Sequence, residues 1–450
     1  MSDRNISLEL VDTVVPPHNE LSDQSTRHQG RLFRTLLLRR HVDPILLSAG
    51  MAAFAVKLHL DMIVFAYFIG TGVYFLAFRH RISQCVDPDY RFWCLIYVGY
   101  AVAVGLLLHG NLPKEIRWIG YPVYLLSGML LMVGFALVKD PLRQIVLGAR
   151  IATVIALPLA IVELLTGDMR IGFGGNEANT AFVLIVISLL ARHRVDAAPK
   201  YLPDSSLWFY LGAIVVFMTG TRSVLPVVLM AIAFDIFRIL LARKKGQTLL
   251  TRQHRSAIIA SGIALVVVGT IAGAKMSSSL ADRFDYTVLE IQDAMGEVPE
   301  QQPMTGLGVR LRLWKNALAT IAEHPLAGVG GVESMRQVKS MIPPQFSDTF
   351  SHFVHVHNFV LDELRQRGLV GLILMLAFFV VVSRKIWKGG DASVRETLTL
   401  MLLSLICYGS LHGLMLSDRN VLLISIVLAA LLLEAHRHGK IGVRTRLINP

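Results

Sequence analysis

Apolar runs of about 18 to 22 residues, separated by short polar stretches, recur along most of the chain, and a helix needs about 20 such residues to cross a bilayer. They predict an all-α polytopic membrane protein of about twelve transmembrane helices. The windows lie near 42–58, 61–78, 92–109, 118–138, 144–165, 174–191, 205–220, 223–241, 256–274, 368–383, 397–413 and 418–435. Lys57 and Asp61 fall between the first two, where a tight outward hairpin keeps both charges at an interface and away from mid-depth. Before the first run lies a polar stretch from Met1 to about Gly30, then Arg31, Arg34, Arg39 and Arg40. It reads as a disordered tail leading into a retained span, without the short apolar run and small-residue cleavage site of a signal peptide.

The polar stretches between runs carry a sidedness signal. With the N-terminus inside, the inward loops hold Arg79, Arg81 and Arg91; Lys139 and Arg143; Arg192, Arg194 and Lys200; Arg243, Lys244, Lys245, Arg252 and Arg255; Arg384, Lys385, Lys388 and Arg395; and, in the tail, Arg437, Lys440, Arg444 and Arg446. The short outward loops hold Lys114, Arg117, Arg170, Arg222 and Arg419. Both termini therefore face the cytoplasm. The expected division is a cytoplasmic tail over 1–35, nine spans within 36–274, a periplasmic loop over 275–367, three spans within 368–436 and a cytoplasmic tail over 437–450.

The loop from Lys275 to Arg367 has no spanning segment, and loops longer than about 15 residues are usually functional or disordered. Leu311, Trp314, Leu318 and Ile321 fall on one helical face before the stop at His324 and Pro325, so an ordered helix is expected inside it. No internal repeat or low-complexity tract is visible.

Composition agrees with the runs. The chain is 54% hydrophobic and 17% charged, with a mean hydropathy of +0.55. Soluble chains are about a quarter charged, so a soluble enzyme is excluded. The net charge of +12 is a topology signal in loops, with no nucleic-acid footprint. Cys85, Cys94 and Cys407 form no CxxC pair, which suggests neither a disulfide framework nor a zinc site.

The expected outward face carries several groups suited to chemistry. Arg222, in Gly220-Thr221-Arg222-Ser223, joins two spans with barely any loop. It is placed either to grip a lipid-linked phosphate bidentately or to snorkel to the headgroups. Arg170 precedes the glycine-rich turn Gly172, Gly174, Gly175, Asn176, a phosphate-binding candidate or a plain turn. Arg310 and Arg312 precede His324-Pro325-Leu326-Ala327-Gly328-Val329-Gly330-Gly331, in which Gly328 and Gly330 offer backbone N–H groups as an anion nest. No GxxxxGK[ST] or strand-first GxGxxG context supports a nucleotide. His352, His355 and His357 fit no tetrahedral metal template, so no metal and no cofactor is expected. Imidazole suits proton transfer from a hydroxyl at neutral pH, and His357 with Asn358 stands at the start of a helical stretch running into the span at Gly368.

His357, Asn358, the nine residues Phe359 to Arg367, Gly368, two residues and Gly371 resemble the motif H-[NSQ]-x9-G-x-x-[GTY] of bacterial O-antigen ligases and related O-oligosaccharyltransferases. The segment HPLAGVG, from His324 to Gly330, is similar to the same family's periplasmic segment. The resemblance implies a GT-C-like membrane glycosyltransferase. Such an enzyme moves a polysaccharide from undecaprenyl diphosphate to an acceptor hydroxyl on the periplasmic face of the bacterial inner membrane, inverting the anomeric centre without nucleotide or metal. The acceptor would be a lipid A core sugar and the product lipopolysaccharide. Carried onto these positions, the family's histidine falls on His357 and its arginines on Arg222 and Arg312, with Arg310 the alternative to Arg312. Arginines would neutralise the diphosphate leaving group while His357 activates or positions the acceptor. Arg170, Asn358, Gly328 and Gly330 would contact substrate. The same motif serves an O-antigen polymerase or a protein O-oligosaccharyltransferase. A transporter or flippase is the alternative of another class, with Arg150, Glu163 and Asp235 as its scattered mid-span ionisable groups.

Overall fold

The computed structural model describes residues 39, 41–56, 60–78, 85–107, 112–166, 170–196, 198–244 and 306–437. The expected span at 256–274, the loop residues before 306 and both predicted tails, apart from Arg437, lie outside the described residues. No strand occurs among the described residues. The bundle opens with α1 (His41–Ala55), α2 (Leu60–Phe78), α3 (Pro88–Leu107), α4 (Leu112–Val123), α5 (Leu126–Ala136) and α6 (Pro141–Thr166). It continues with α7 (Glu177–Arg192), α8 (Leu207–Met218), a 3-10 turn over Arg222–Val224 and α9 (Leu225–Lys244). The outward segment holds α10 (Gly306–Glu323), α11 (Gly331–Ser340) and α12 (Ser347–Ser351). The chain then returns through α13 (Phe359–Gly389), α14 (Ala392–Gly409) and α15 (Asp418–Arg437).

Every expected window that falls on the described residues coincides with a helix. Among the described residues, six segments are long and apolar enough to cross a membrane: α2, α3, Glu115–Ala136 across α4 and α5, α6, α13 and α15. α1 and α8 are shorter apolar helices. With no water at mid-depth, a helix satisfies its own backbone, which is why apolar runs in this chain become helices. α2 packs on α5, α13 on α3, α15 on α5, and α6, α7 and α8 on one another.

Contacts between distant turns sort into two ends, as an alternating path requires. At one end Arg419 pairs with Asp61 at 3.6 Å and donates to the Phe54 carbonyl, which ties the α1–α2 hairpin to the head of α15. The same end joins Arg170 to the Gly220 turn, Glu115 to Gly331, and Asn358 to Ser410. At the other end Arg192 bridges Asp235 (2.7 Å) and Glu396, His193 meets Thr397 (2.8 Å), and Asp87 holds Lys385 (2.7 Å) and His436 (3.0 Å). Each set links only turns that the alternation of spans assigns to one side.

The segment between α9 and α13 has a small core of its own, built from Val309, Leu313, Ala317, Met335, Val338, Ile342, Phe350 and Val356. α10 turns Val309, Leu313, Asn316, Ala317 and Thr320 into it. Leu311, Trp314 and Ile321 are only half-buried and Leu318 is exposed, so the apolar face legible in the sequence is not the face that packs.

Candidate active site

α13 departs from an ordinary helix at Gly368, where φ is 65° and ψ is −168°. The break removes the helical partners of four backbone groups, and the Pro325–Gly330 segment replaces all of them. Leu369 and Val370 N–H donate to the carbonyls of Pro325 (2.8 Å) and Leu326 (3.2 Å). Val329 and Gly330 N–H donate to the carbonyls of Arg365 (3.1 Å) and Gln366 (2.9 Å). The crossing is so close that a Cβ at Gly328 or Gly368, both at positive φ, would lie under 3 Å from the opposing backbone. The glycine segment is thus a splice for a broken helix. The N–H of Gly330 is spent on Gln366 and that of Gly328 on the His324 carbonyl (3.2 Å), which leaves neither as an open anion nest.

The N-terminus of α11, where a nest would continue, is already filled by a carboxylate. Glu115, buried on α4, accepts from Gly331 N–H at 3.0 Å and Val332 N–H at 2.8 Å, an internal anion on a helix N-terminus. Next to it Arg365 donates to Asp362 (2.9 and 2.7 Å) and Ser334 (2.6 Å). Arg367 grips Glu363 with two bonds of 2.7 Å, and Tyr97 donates to the same carboxylate at 3.2 Å. These buried ion pairs make the first part of α13, Phe359–Arg367, a rigid support.

His357 sits immediately before that support, at φ 57°, a conformation L-residues adopt at a cost. Six hydrogen bonds of the turn and its neighbours hold it there. Trp314 Nε1–H on α10 donates to the Val356 carbonyl at 2.7 Å, and Val356 N–H donates to Asp362 at 3.1 Å. His357 N–H donates to His355 Nδ1 at 3.1 Å, with the two rings 4.1 Å apart. Asn358 caps α13 by accepting from Val360 (3.0 Å) and Leu361 (3.1 Å), while its Nδ2 donates to the Ser410 carbonyl at 3.2 Å. The Asn358 amide is therefore committed to the backbone.

The His357 Nδ1 is buried without a hydrogen-bond partner among the described residues, which leaves Nε2 as the nitrogen able to meet a hydroxyl. Burial, then the neighbouring His355, Arg310, His412 and His352, push its pKa down to about 2. Burial followed by Arg310 and His355 pushes His412 down to about 3. Both imidazoles are neutral at pH 7, and the guanidinium acting on both is that of Arg310. Arg312 points elsewhere, over the Phe346 ring at 5.1 Å. Two positions apart on one helix, these arginines face nearly opposite directions, so only one can share the histidine's side.

Sequence reasoning passed over His412. It lies 6.4 Å from His357 between ring centroids and stacks on Tyr408 at 4.6 Å. Its window reads as the end of an apolar span, whereas α14 stops at Gly409 and releases it into the turn. Arg170 and Arg222 are both exposed, and the Arg170 side chain packs within 3.4 Å of where a Cβ at Gly220, two residues before Arg222, would lie. The Arg222–Val224 turn packs against α14, the helix whose end carries Ser410 and His412.

A family model described as O-antigen ligase matches residues 207–376. This region is similar to the O-antigen ligase family over that length. It contains Arg222, Arg310, Arg312, His357, Asn358, Gly368 and Gly371, and so spans the splice and the histidine turn as well as the arginine turn. An uncharacterized protein of Haemophilus influenzae is 24% identical over 350 residues, covering 74% of this chain and 82% of its own length. Within the matched region, α10, α13 and the Arg222 turn supply the candidate side chains; Glu115, Arg170 and His412, outside it, complete their surroundings.

Proposed function

We propose that this protein is an O-antigen ligase of the bacterial inner membrane, joining O-polysaccharide from undecaprenyl diphosphate to a sugar hydroxyl of the lipid A core at its periplasmic face. The observation that carries the reading is a neutral imidazole, His357, held in a strained turn under the influence of Arg310, inside the matched O-antigen ligase region. A neutral imidazole accepts a proton. As the acceptor hydroxyl attacks the anomeric carbon from the face opposite the diphosphate, the C–O bond to the diphosphate breaks and His357 Nε2 takes the hydroxyl proton, a contribution of about 10² to 10⁴-fold. Arg310 is the better of the two helix arginines for this pocket, because Arg312 is stacked on Phe346. Arg222 and Arg170 are suited to the far side of the diphosphate, since guanidinium groups bind phosphate oxygens bidentately. Donor anion also raises the basicity of His357 by offsetting Arg310, so the base strengthens when substrate is present.

Lipopolysaccharide banding tests the reading. A deletion strain complemented with wild type should recover the polymer ladder, and one complemented with His357→Ala should show bare core while lipid-linked polymer accumulates. A ladder that persists in the deletion strain sinks it. Shortening to single repeats with capping retained would instead assign a polymerase.

A further inference from the structure

α10 carries two apolar faces. Val309, Leu313, Ala317 and Thr320 pack into the outward core, and on the opposite side of the helix Leu311, Leu318 and Ala322 form a second stripe. Leu318 is 55% exposed, and no described element covers it. The stripe continues past the helix end through Pro325 to Leu326, which is 65% exposed.

Depth along the bundle says what covers this stripe. Pro325 and Leu326 are hydrogen-bonded to Leu369 and Val370, the first two residues of the apolar run that follows Gly368. Leu369, Val370, Ile373, Leu376 and Val380 are all exposed large apolar side chains on a helix apolar enough to cross a bilayer, the character of a lipid-facing band. Leu326 therefore stands at the level where that band begins, and the α10 stripe is its continuation. Basic groups border it: Lys315 is exposed on one flank and Arg310 half-buried on the other.

We propose that the Leu311–Leu318–Ala322 stripe of α10, with Leu326, rests in the bilayer interface and is covered by phospholipid. An amphipathic helix in that position buries its apolar face about 5–10 Å into the headgroup and acyl boundary, with cations at headgroup level. The inference does not depend on glycosyl transfer. On the proposed function it has a consequence, placing Arg310 at the depth of a lipid-linked diphosphate.

The test uses full-length protein in phosphatidylglycerol and phosphatidylethanolamine vesicles, with Cys85, Cys94 and Cys407 replaced and single spin-labelled cysteines at Leu311, Leu318, Ala322 or Leu326. Glu323→Cys and, on α11, Arg336→Cys serve as polar controls. Stripe positions are expected to show an oxygen-to-nickel collision ratio several-fold above the controls. High nickel access at the stripe means water and overturns the proposal. Low access to both reagents means a protein cover, by residues 275–305 of this chain or by a second copy, and overturns it too. If the cysteine-free protein does not fold, benzoyl-phenylalanine at 318 or 326 in the otherwise native chain gives the same decision: cross-linked phospholipid supports the proposal, and cross-linked peptide overturns it. Neither readout involves activity, so a failure here leaves the ligase reading standing, and a failed ladder experiment leaves this one standing.

Discussion

His357 meets two opposing demands. Burial and Arg310 keep it neutral, which suits a proton acceptor, and the same forces weaken it as a base until an anion arrives. The sign of the pH dependence follows. In the free enzyme its pKa is about 2, against an ordinary value of 6.5, so its protonation does not limit kcat/KM between pH 5 and 7. With the donor bound, Arg310 is offset and the acid limb of kcat should lie at higher pH than that of kcat/KM. Rate profiles on purified protein with lipid-linked donor check this, and a wild-type kcat/KM limb near the ordinary histidine value would contradict it. The unfolded chain binds more protons than the folded one below the ordinary value. His357 therefore costs stability as pH falls through that value toward the folded one. Arg310→Ala should lower kcat by about 10²–10³-fold, the usual loss for one preorganised donor to developing charge. Arg312→Ala, which loses a stack on Phe346, should change kcat far less. The reverse order of effects would return the role to Arg312.

At the scale of elements, the decisive feature is a helix broken at Gly368 and repaired by another segment. Gly368→Ala puts a Cβ 2.2 Å from the Leu326 carbonyl carbon at a positive φ. It should cost at least about 1–3 kcal/mol in backbone strain, before the clash is counted. The expected result is a lower midpoint of thermal unfolding in detergent, with activity falling too because the support for His357 shifts. Asn358 acts through its cap. Asn358→Ala should cost about 0.5–2 kcal/mol, whereas Asn358→Asp, which still accepts from Val360 and Leu361, should keep most of the activity. Equal and complete loss in both variants would point to a direct substrate contact by the amide.

Across the whole molecule, the ionisable groups within the bundle serve its assembly. Arg150 is fully buried and donates to the carbonyls of Ala191 (3.0 Å), Leu202 (2.8 Å) and His193 (2.8 Å) as well as to Asp204, closing the end of α7. Glu163 accepts from Gly172 (3.0 Å) and Phe173 (3.1 Å) and shapes the outward turn that carries Arg170. Asp235 is held by Arg192, Tyr210 (2.8 Å) and Ser206 (3.2 Å). Arg150 and Asp235 are each paired with an opposite charge, and Glu163 is held by backbone N–H groups. This arrangement favours a rigid scaffold over a transport path. Arg192→Met leaves Asp235 and Glu396 without their shared cation and should destabilise the bundle by about 3–5 kcal/mol, read as a lower unfolding midpoint. The surviving folded protein should keep its KM for donor, since the change lies at the end opposite His357.

The apolar runs alone determined that helices form, where most begin and end, and how turns alternate, because a segment without water must bond to itself. The motif residues His357, Gly368 and Gly371 were legible through their resemblance to the O-antigen ligase motif, whereas the strained turn at His357 and the helix break at Gly368 appear only in the tertiary structure. Burial on α10 was not legible. Both of its faces are apolar, and only packing against Met335, Val338 and Phe350 chose between them. Nor did spacing separate Arg310 from Arg312, since the choice depends on which direction α10 presents to α13. His412 joined the site, and Gly328 and Gly330 left it, through contacts with segments far away in the chain. Periodicity reports local bonding and solvent, whereas the partner of a side chain is set by how distant helices meet.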